Sequence, residues 1–241
     1  MRKKMKLMVN GLLVLAMMLA LAGCGGQSSG GQGESSGSVE LDAFSNIQLQ
    51  AKSPNVSVAV GESYSVVYQL HERETVKQLE VVDGTLIFDS GKATNWQGGS
   101  EGYSIAITVP ADAALENLTM YSTAGNISLN GIACGVADLS SVSGGFQLDN
   151  VEADEVKLLT GSGEVNTSGV KCGLIDVVTT DTNMNLDGEF ANIVAESSSG
   201  VITVAGSVYL GEAKQGNTYS VSGGAPSANL KTGSATITIE A

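Results

Sequence analysis

Two aspartates of this chain are placed where a pair of carboxylates could do chemistry. Asp149 and Asp187 occupy the same turn position of a repeating sequence unit, two units apart, with Ser168 between them. If units stack at the spacing of neighbouring β-strands, the aspartate backbones are about 9.6 Å apart, near the upper limit for an inverting glycosidase. Such oxygens could also bind Ca²⁺. Because turn aspartates ordinarily bind backbone groups, Asp149 and Asp187 are a weak candidate cation or glycan row.

Other catalytic combinations are incomplete. The single histidine, His71, is followed four residues later by Thr75, whereas a zinc protease needs a second histidine there. Ser162 and Ser197 lie among glycines, but no histidine of the repeats is available to activate them. The sequence therefore predicts no catalytic residue, no metal site, no cofactor and no enzymatic activity.

A repeated apolar pair organises the second half of the chain. The first members of the pairs are spaced 19, 19, 19, 18, 17 and 18 residues apart. A period of 17–19 residues with two-residue alternation is typical of a stacked β-solenoid. The pairs are Ile127/Leu129, Phe146/Leu148, Val165/Thr167, Met184/Leu186, Ile202/Val204, Tyr219/Val221 and Ile237/Ile239.

Each unit carries further inward and corner positions. A second apolar pair precedes the first one, and a third inward position follows it at Ile132, Val151 and Val170. Glycine or asparagine, which tolerates positive φ, follows the first pair. The second row comprises Leu118/Met120, Ala137/Leu139, Val156/Leu158, Ile175/Val177 and Ile193/Ala195, and the corner residues are Gly131, Asn150, Gly169, Gly188 and Gly206.

These patterns predict an all-β fold, a single-stranded β-solenoid (β-helix) with about seven rungs over residues 111–241. Residues 41–110 contain strands without the period and are predicted to form an irregular N-terminal β cap or the first irregular coils, since an open rung exposes apolar surface. We expect residues 41–241 to be one continuous domain. The last rung, which ends at Ala241, offers an open edge for self-association.

Outward positions and cysteines follow the same period. Ser128, Gln147, Asn166, Asn185 and Thr203 are predicted to stack as a polar row, and Asp138, Lys157 and Asp176 as alternating charges. Cys134 and Cys172 are two units apart, with Ala153 between them. Their expected separation of about 9.6 Å exceeds the limit of about 7 Å for a disulfide. We therefore expect two buried free thiols.

The amino terminus is typical of a targeting segment. Basic residues up to Lys6 precede an apolar stretch from Gly11 to Leu21, which is short for a membrane span of about 20 residues. The run Leu21-Ala22-Gly23-Cys24 resembles the bacterial lipobox, in which cleavage before the cysteine leaves it lipidated. Residues 1–23 are thus predicted to be a lipoprotein signal peptide. A simple signal peptide or a membrane anchor is the alternative.

A Gly/Ser-rich tether is predicted for residues 24–40. It joins the lipidated Cys24 to the folded body, and two acyl chains suffice for stable anchoring. We therefore expect an extracytoplasmic protein bound to the cell membrane through its lipid.

Charge narrows the range of partners. Without the four basic residues of the signal peptide, eight basic residues face 25 acidic ones, a net charge of about −17. Such acidity argues against nucleic acid as a partner. The best candidate for recognition is the Gly-rich loop 91–103, which holds the only tryptophan, Trp96, and Tyr103. An exposed loop tryptophan is a common hot spot for protein or glycan contacts, although Trp96 could instead plug the cap core.

A family resemblance rests on motifs spread over residues 42–240. Among them are Phe44-Ser45-Asn46-Ile47, Gly84-Thr85-Leu86-Ile87-Phe88, Ser122-Thr123-Ala124-Gly125-Asn126-Ile127 and Thr160-Gly161-Ser162-Gly163-Glu164-Val165. Together they resemble the bacterial "putative adhesin" domain-of-unknown-function family, some of whose members are associated with cell-envelope stress. The resemblance implies a β-solenoid, an envelope location and no established catalytic residue. Thr182 departs from the pattern, because it replaces a glycine expected before Asn183.

The sequence thus favours a non-enzymatic, lipid-anchored surface protein. It would act as an adhesion or protein-interaction scaffold, with another envelope protein or wall glycan as partner. Two alternatives remain open at this point. One is a polysaccharide-active β-helix enzyme that uses the carboxylates of Asp149 and Asp187. The other is a self-associating structural module joined through the C-terminal rung.

Overall fold

The computed structural model describes residues 33, 35–91, 101–208, 218–220, 228–232 and 237–239. This part of the chain contains no helix and forms 19 strands of one continuous sheet, so the all-β prediction is confirmed. The strands are β1 (Ser36–Glu40), β2 (Asn46–Ala51), β3 (Asn55–Gly61), β4 (Ser65–Gln69), β5 (Gln78–Val82), β6 (Thr85–Asp89), β7 (Ser104–Pro110), β8 (Leu115–Ser122), β9 (Ile127–Asn130), β10 (Ala133–Ser141), β11 (Phe146–Asp149), β12 (Glu152–Thr160), β13 (Val165–Ser168), β14 (Val170–Thr179), β15 (Met184–Ser197), β16 (Ile202–Val208), β17 (Thr218–Ser220), β18 (Ala228–Thr232) and β19 (Ile237–Ile239).

Parallel pairing sorts most of these strands into two walls. The front wall runs in the order β7, β3, β9, β11, β13, the first residues of β15, β16 and β19. The back wall runs in the order β6, β2, β8, β10, β12, β14, the last residues of β15 and β18. One back-wall strand and the front-wall strand that follows it make one coil.

The register of the walls agrees with the predicted apolar rows. On the front wall Ile127 pairs with Phe146, and Phe146 pairs with Val165. On the back wall Leu118 pairs with Ala137, and Ala137 pairs with Val156. All of them are buried, because alternate side chains of each strand point between the walls. The core is therefore a stack of layers, each covering the next.

The coils at the amino-terminal end are stacked out of sequence order. β2 and β3 lie between the coil of β6 and β7 and the coil of β8 and β9. Thus Ile47 pairs with both Leu86 and Leu118. Strands of residues 46–61 and 85–110 consequently belong to the walls themselves, in agreement with the alternative that this segment forms irregular coils.

Antiparallel strands cover this end of the stack. β5 pairs with β6, β4 pairs with β7, and β1 pairs with β4. β1 lies within the predicted tether, at residues 36–40. A Cβ added to Gly37 would be 2.7 Å from the hydroxyl oxygen of Tyr68, so this glycine is needed for packing rather than for a linker. Residues 36–40, which the sequence assigns to the tether, therefore form part of the folded body.

The carboxyl-terminal units differ from the prediction in one respect. Tyr219 lies in β17, which pairs antiparallel with β18 and opposes Leu230. Ile202 pairs directly with Ile237. The predicted Tyr219 rung is therefore not a coil of the front wall. Its strand, β17, runs antiparallel beside β18, which belongs to the back wall.

The predicted corners are correct for three coils. Gly131, Asn150 and Gly169 have positive φ angles of 66°, 52° and 62°. Gly188 instead lies inside β15, where the repeat is one residue shorter, and a Cβ there would be 2.1 Å from the carbonyl oxygen of Val170. This glycine permits close approach of two coils and does not make a left-handed turn.

A row of buried hydroxyl groups supports the other corner. Ser141, Thr160, Thr179 and Ser197 are in register at the ends of successive back-wall strands, and all are buried. The Thr160 Oγ1 atom donates to the carbonyl oxygen of Gly144 at 2.8 Å and accepts from the Gly163 N–H at 3.1 Å. The sequence signal is a Ser or Thr three residues before the glycine that precedes each front-wall strand.

Thr182 changes this corner without abolishing it. It is buried, and its carbonyl oxygen accepts a hydrogen bond from Ser197 at 3.2 Å. In the same coil, however, the Thr179 hydroxyl has no hydrogen-bond partner among the described residues. The turn is kept, but one buried hydroxyl is left unsatisfied.

We expect Thr160→Val and Thr179→Val to have different effects, although both residues are buried in the same row. Thr160→Val removes two hydrogen bonds to buried backbone groups and should lower the free energy of unfolding by roughly 1–3 kcal/mol. Thr179→Val removes a hydroxyl without a partner and should leave stability unchanged or raise it. Urea unfolding followed by circular dichroism measures both, and equal losses would contradict a supporting role for the Thr160 hydroxyl.

Candidate functional site

Asp149 and Asp187 both lie on the outward side of the front wall. Asp149 is half-buried, pairs with Ser168, and accepts a hydrogen bond from the Gln147 amide at 2.8 Å. Asp187 is exposed. Its N–H donates to the Thr167 hydroxyl at 2.8 Å, and that hydroxyl donates to the Asp187 carbonyl oxygen at 3.0 Å. A side chain thus joins the two coils at the point where one repeat is shorter.

Trp96 lies outside the described residues, and its role as a recognition residue stays a prediction. Tyr103 is half-buried beside the amino-terminal end of the stack. Its ring is 5.0 Å from that of His71, and its carbonyl oxygen accepts from the Asn55 N–H at 3.0 Å. Tyr103 is therefore held between two segments of the fold.

Cys134 and Cys172 are free thiols on one inward row, with Ala153 between them, as expected. Cys172 is buried as expected, whereas Cys134 is half-buried and departs from the expectation. Burial raises the pKa of Cys172 to about 12, and burial together with the charge of Asp154 raises the pKa of Cys134 to about 11. Both are protonated at neutral pH, which makes them poor nucleophiles. Cys24 lies outside the described residues.

The outward side of the front wall is polar throughout its centre. We call it the amide face, and it consists of Ser128, Gln147, Asn166, Asn185 and Thr203, which are in register on successive strands. The Asn185 amide donates to the Asn166 side-chain oxygen at 2.8 Å, along the axis of the stack. A depression of about 250 Å³ lies on this face over Phe146, between Asn126 and Glu164.

The outward side of the back wall combines charge with apolar surface. We call it the acidic face, and it consists of Asp138, Glu155, Lys157, Leu159, Asp176, Val178 and Glu196. The predicted charge row is present, since Lys157 pairs with both Asp138 and Asp176. The ammonium nevertheless makes its ion pair with Glu155, at 3.0 Å along the same strand. A hydrogen bond from that ammonium to Glu155 raises the pKa of Lys157.

Asp176 is the least satisfied charge of the acidic face. It is half-buried, and its Oδ1 atom has no hydrogen-bond partner among the described residues. Burial raises the pKa of Asp176, and the charges of Glu155 and Glu196 add to the rise, while Lys157 opposes it. Holding this carboxylate ionised therefore costs the folded protein stability.

The family of the chain is shown by its match to known proteins. The model of the Toastrack DUF4097 family matches residues 44–223, a range that includes the strands of both walls from β2 to β16. The chain belongs to the Toastrack DUF4097 family. The resemblance to a family of domains of unknown function is thus confirmed.

Solved structures resemble this Toastrack protein at low identity. A "putative cell adhesion protein" of Clostridium sporogenes is 13% identical, with 85% of this chain and 99% of that chain covered and a TM-score of 0.43. A "putative adhesin" of Bacteroides fragilis is also 13% identical, with 85% and 95% covered and a TM-score of 0.46. No curated protein matches the chain at a significant level.

Neither a metal-binding cluster nor a membrane-spanning helix is present in the part of the Toastrack chain that the structure describes. Within those ranges, His, Cys, Asp and Glu residues nowhere gather in threes to form a metal site. The same ranges hold no helix of the length and apolarity that crossing a membrane requires.

The apolar part of the acidic face was not predicted from the repeat. Leu159 is 55% exposed and Val178 is 36% exposed, and each follows an inward apolar residue of the second row. The signal was a doubling of apolar residues, Leu158-Leu159 and Val177-Val178, where strict alternation requires a polar residue. Alternation alone describes the core of this Toastrack domain and misses its outer surface.

We expect Asp176→Asn to raise the free energy of unfolding at pH 7. The pKa of Asp176 in the folded protein exceeds the ordinary value of 3.8, so the ionised carboxylate destabilises the fold at neutral pH. As pH falls through the folded pKa and then 3.8, the carboxylate is protonated and this destabilisation disappears. The gain should therefore shrink as pH falls towards about 4 and be absent below it. Urea unfolding between pH 3 and pH 7 measures it. Asp138→Asn, an exposed position of the same row, is the control and should change stability by less than about 0.5 kcal/mol; equal behaviour of the two variants would contradict the expectation.

Proposed function

We propose that this Toastrack protein is a non-enzymatic adhesion or protein-interaction scaffold, anchored by lipid to the outer side of a bacterial cytoplasmic membrane. It presents the amide face and the acidic face to other envelope components, including those that act in envelope-stress signalling. Its partners are another envelope protein or wall glycan.

The observation that carries this proposal is the separation of inside and outside in the stack. Inward residues of both walls pack against one another in the core. Outward residues form regular rows at the spacing of the strands, about 4.8 Å. Regular rows of side chains on a rigid sheet make a broad surface that needs no rearrangement on binding. Such a surface suits recognition of a partner better than enclosure of a small substrate.

Location is supported by the amino-terminal sequence. The resemblance of residues 21–24 to a lipobox supports a lipid on Cys24, and β1 begins at Ser36. A Gly/Ser-rich segment of this length reaches about 17–21 Å. The stack would therefore stand close to the membrane with the end formed by β1, β4 and β5, and its two faces would extend away from the bilayer.

We expect Cys24→Ser to abolish incorporation of a labelled fatty acid and to move the protein from the membrane fraction to the soluble fraction of cells. The reason is that the sulfur of Cys24 carries the lipid. Ser28→Ala, four residues further along the tether, is the control and should remain in the membrane fraction. Continued labelling of Cys24→Ser would overturn the lipid anchor.

The scaffold role is tested by crosslinking on intact cells, capture of the lipoprotein and mass spectrometry. We expect one or a few envelope proteins, or crosslinked wall glycan, to be recovered reproducibly. Recovery of the protein crosslinked solely to itself would instead favour the self-associating module.

An enzymatic role is tested separately with purified wall glycan. We expect incubation with the protein to release no reducing ends. Release of reducing ends that Asp149→Asn or Asp187→Asn abolishes, with the unfolding midpoint unchanged, would overturn the non-enzymatic function. It would assign catalysis to these two aspartates.

A further inference from the structure

The acidic face carries apolar side chains that the amide face lacks. Leu159 and Val178 are neighbours on successive back-wall strands, about 4.8 Å apart, and both are exposed. The half-buried Leu174 and Val194 lie on the same side, next to Glu155 and Asp176. Strands with apolar residues on both sides are typical of sheets that are covered on both sides.

The charges around this apolar patch are mostly of one sign. Asp138, Glu155, Asp176 and Glu196 lie on the acidic face with Lys157 among them, and Lys231 is in register with Glu196 on the next strand. Lys157 is already paired with Glu155, and four carboxylates outnumber the two cations. A partner that covers the patch therefore meets a net negative surface.

We propose that the acidic face is a docking surface for a protein segment in which an apolar stripe is flanked by lysines and arginines. The apolar stripe covers Leu159 and Val178, and a cation of the partner pairs with Asp176. This proposal rests on the scaffold function and names the surface and the class of partner.

Asp176 indicates where the partner's charge is needed. Its Oδ1 atom has no hydrogen-bond partner among the described residues, and its neighbours on the adjacent strands are Lys157 and Val194. A carboxylate in this position is unfavourable in the isolated protein, and a partner's cation placed beside it would favour its ionised form. The groups that weaken the isolated fold are thus the ones that the partner contacts.

Two other occupants fit less well. A second copy docked face to face would bring two sets of carboxylates together, which is repulsive. An anionic membrane surface would repel the same carboxylates. Charge complementarity therefore selects a cationic segment.

The test uses the full chain, immobilised through a tag at its carboxyl end, and an 18-residue amphipathic helical peptide made of leucine and lysine. Two matched peptides replace all lysines with glutamate or all leucines with glutamine. Surface plasmon resonance measures Kd at low and physiological salt. We expect the Leu/Lys peptide to bind and both matched peptides to bind at least about tenfold more weakly, because apolar burial and charge both contribute.

Variants then locate the peptide on the protein. Leu159→Ser and Val178→Ser should each weaken binding by roughly fivefold or more, through lost apolar contact, and Asp176→Asn should weaken it while stabilising the fold. Val67→Ser, at a 49% exposed valine of β4, is the matched control and should bind as the unchanged protein does. Unfolding midpoints show that each variant is folded.

Three outcomes would overturn the docking surface. One is equal binding of the Leu/Lys peptide to Leu159→Ser, Asp176→Asn and the unchanged protein. Another is equal binding of the peptide without leucines, which would show a general attraction to the acidic chain. The third is light scattering in which the protein dimerises and Leu159→Ser abolishes the dimer, because a second copy would then occupy the face. Failure of the lipid anchor would leave this test unaffected, since binding is measured on the isolated protein.

Discussion

The structure depends on the hydrogen-bonded stacking of coils at the spacing of β-strands. Because each coil lies about 4.8 Å from the next, every inward residue must fit its counterparts above and below. A Cβ on Gly144 would come within 2.0 Å of the carbonyl oxygen of Gly125, so this corner requires glycine. The buried hydroxyls of Ser141, Thr160 and Ser197 bind backbone N–H groups of the turn. Packing and hydrogen bonding thus impose the same period on the chain.

The same constraint separates the inside of the stack from its outside. Alternate side chains of each strand are buried between the walls, so those available to a partner point outward. On the front wall they form a polar amide face, where Asn166 and Asn185 bind each other. On the back wall they form a face with exposed Leu159 and unsatisfied Asp176. The asymmetry between the two walls is what suggests a particular docking surface rather than general adhesiveness.

The ends of the stack illustrate how much of the fold follows from local pattern. Where neighbours in the stack are neighbours in sequence, as from β8 to β16, the period reveals register and burial directly. At the amino-terminal end β2 pairs with both β6 and β8. No period can show this, because the partners are separated by different lengths of chain. The sequence likewise predicts a rung at Tyr219, where β17 runs antiparallel to β18, since alternation looks the same in either strand direction.

The sequence by itself determined the β-solenoid, its apolar rows, the polar and charged rows and the free thiols, because each follows from a period of 17–19 residues and alternation within it. Tertiary structure decided the order of the first coils, the start of β1 at Ser36 and the role of Gly188. It also decided that Lys157 binds Glu155 rather than its neighbours across the coils, and that Asp176 is left with an unsatisfied oxygen. These features depend on which backbone atoms meet between distant segments, and such contacts exist only once the coils are stacked.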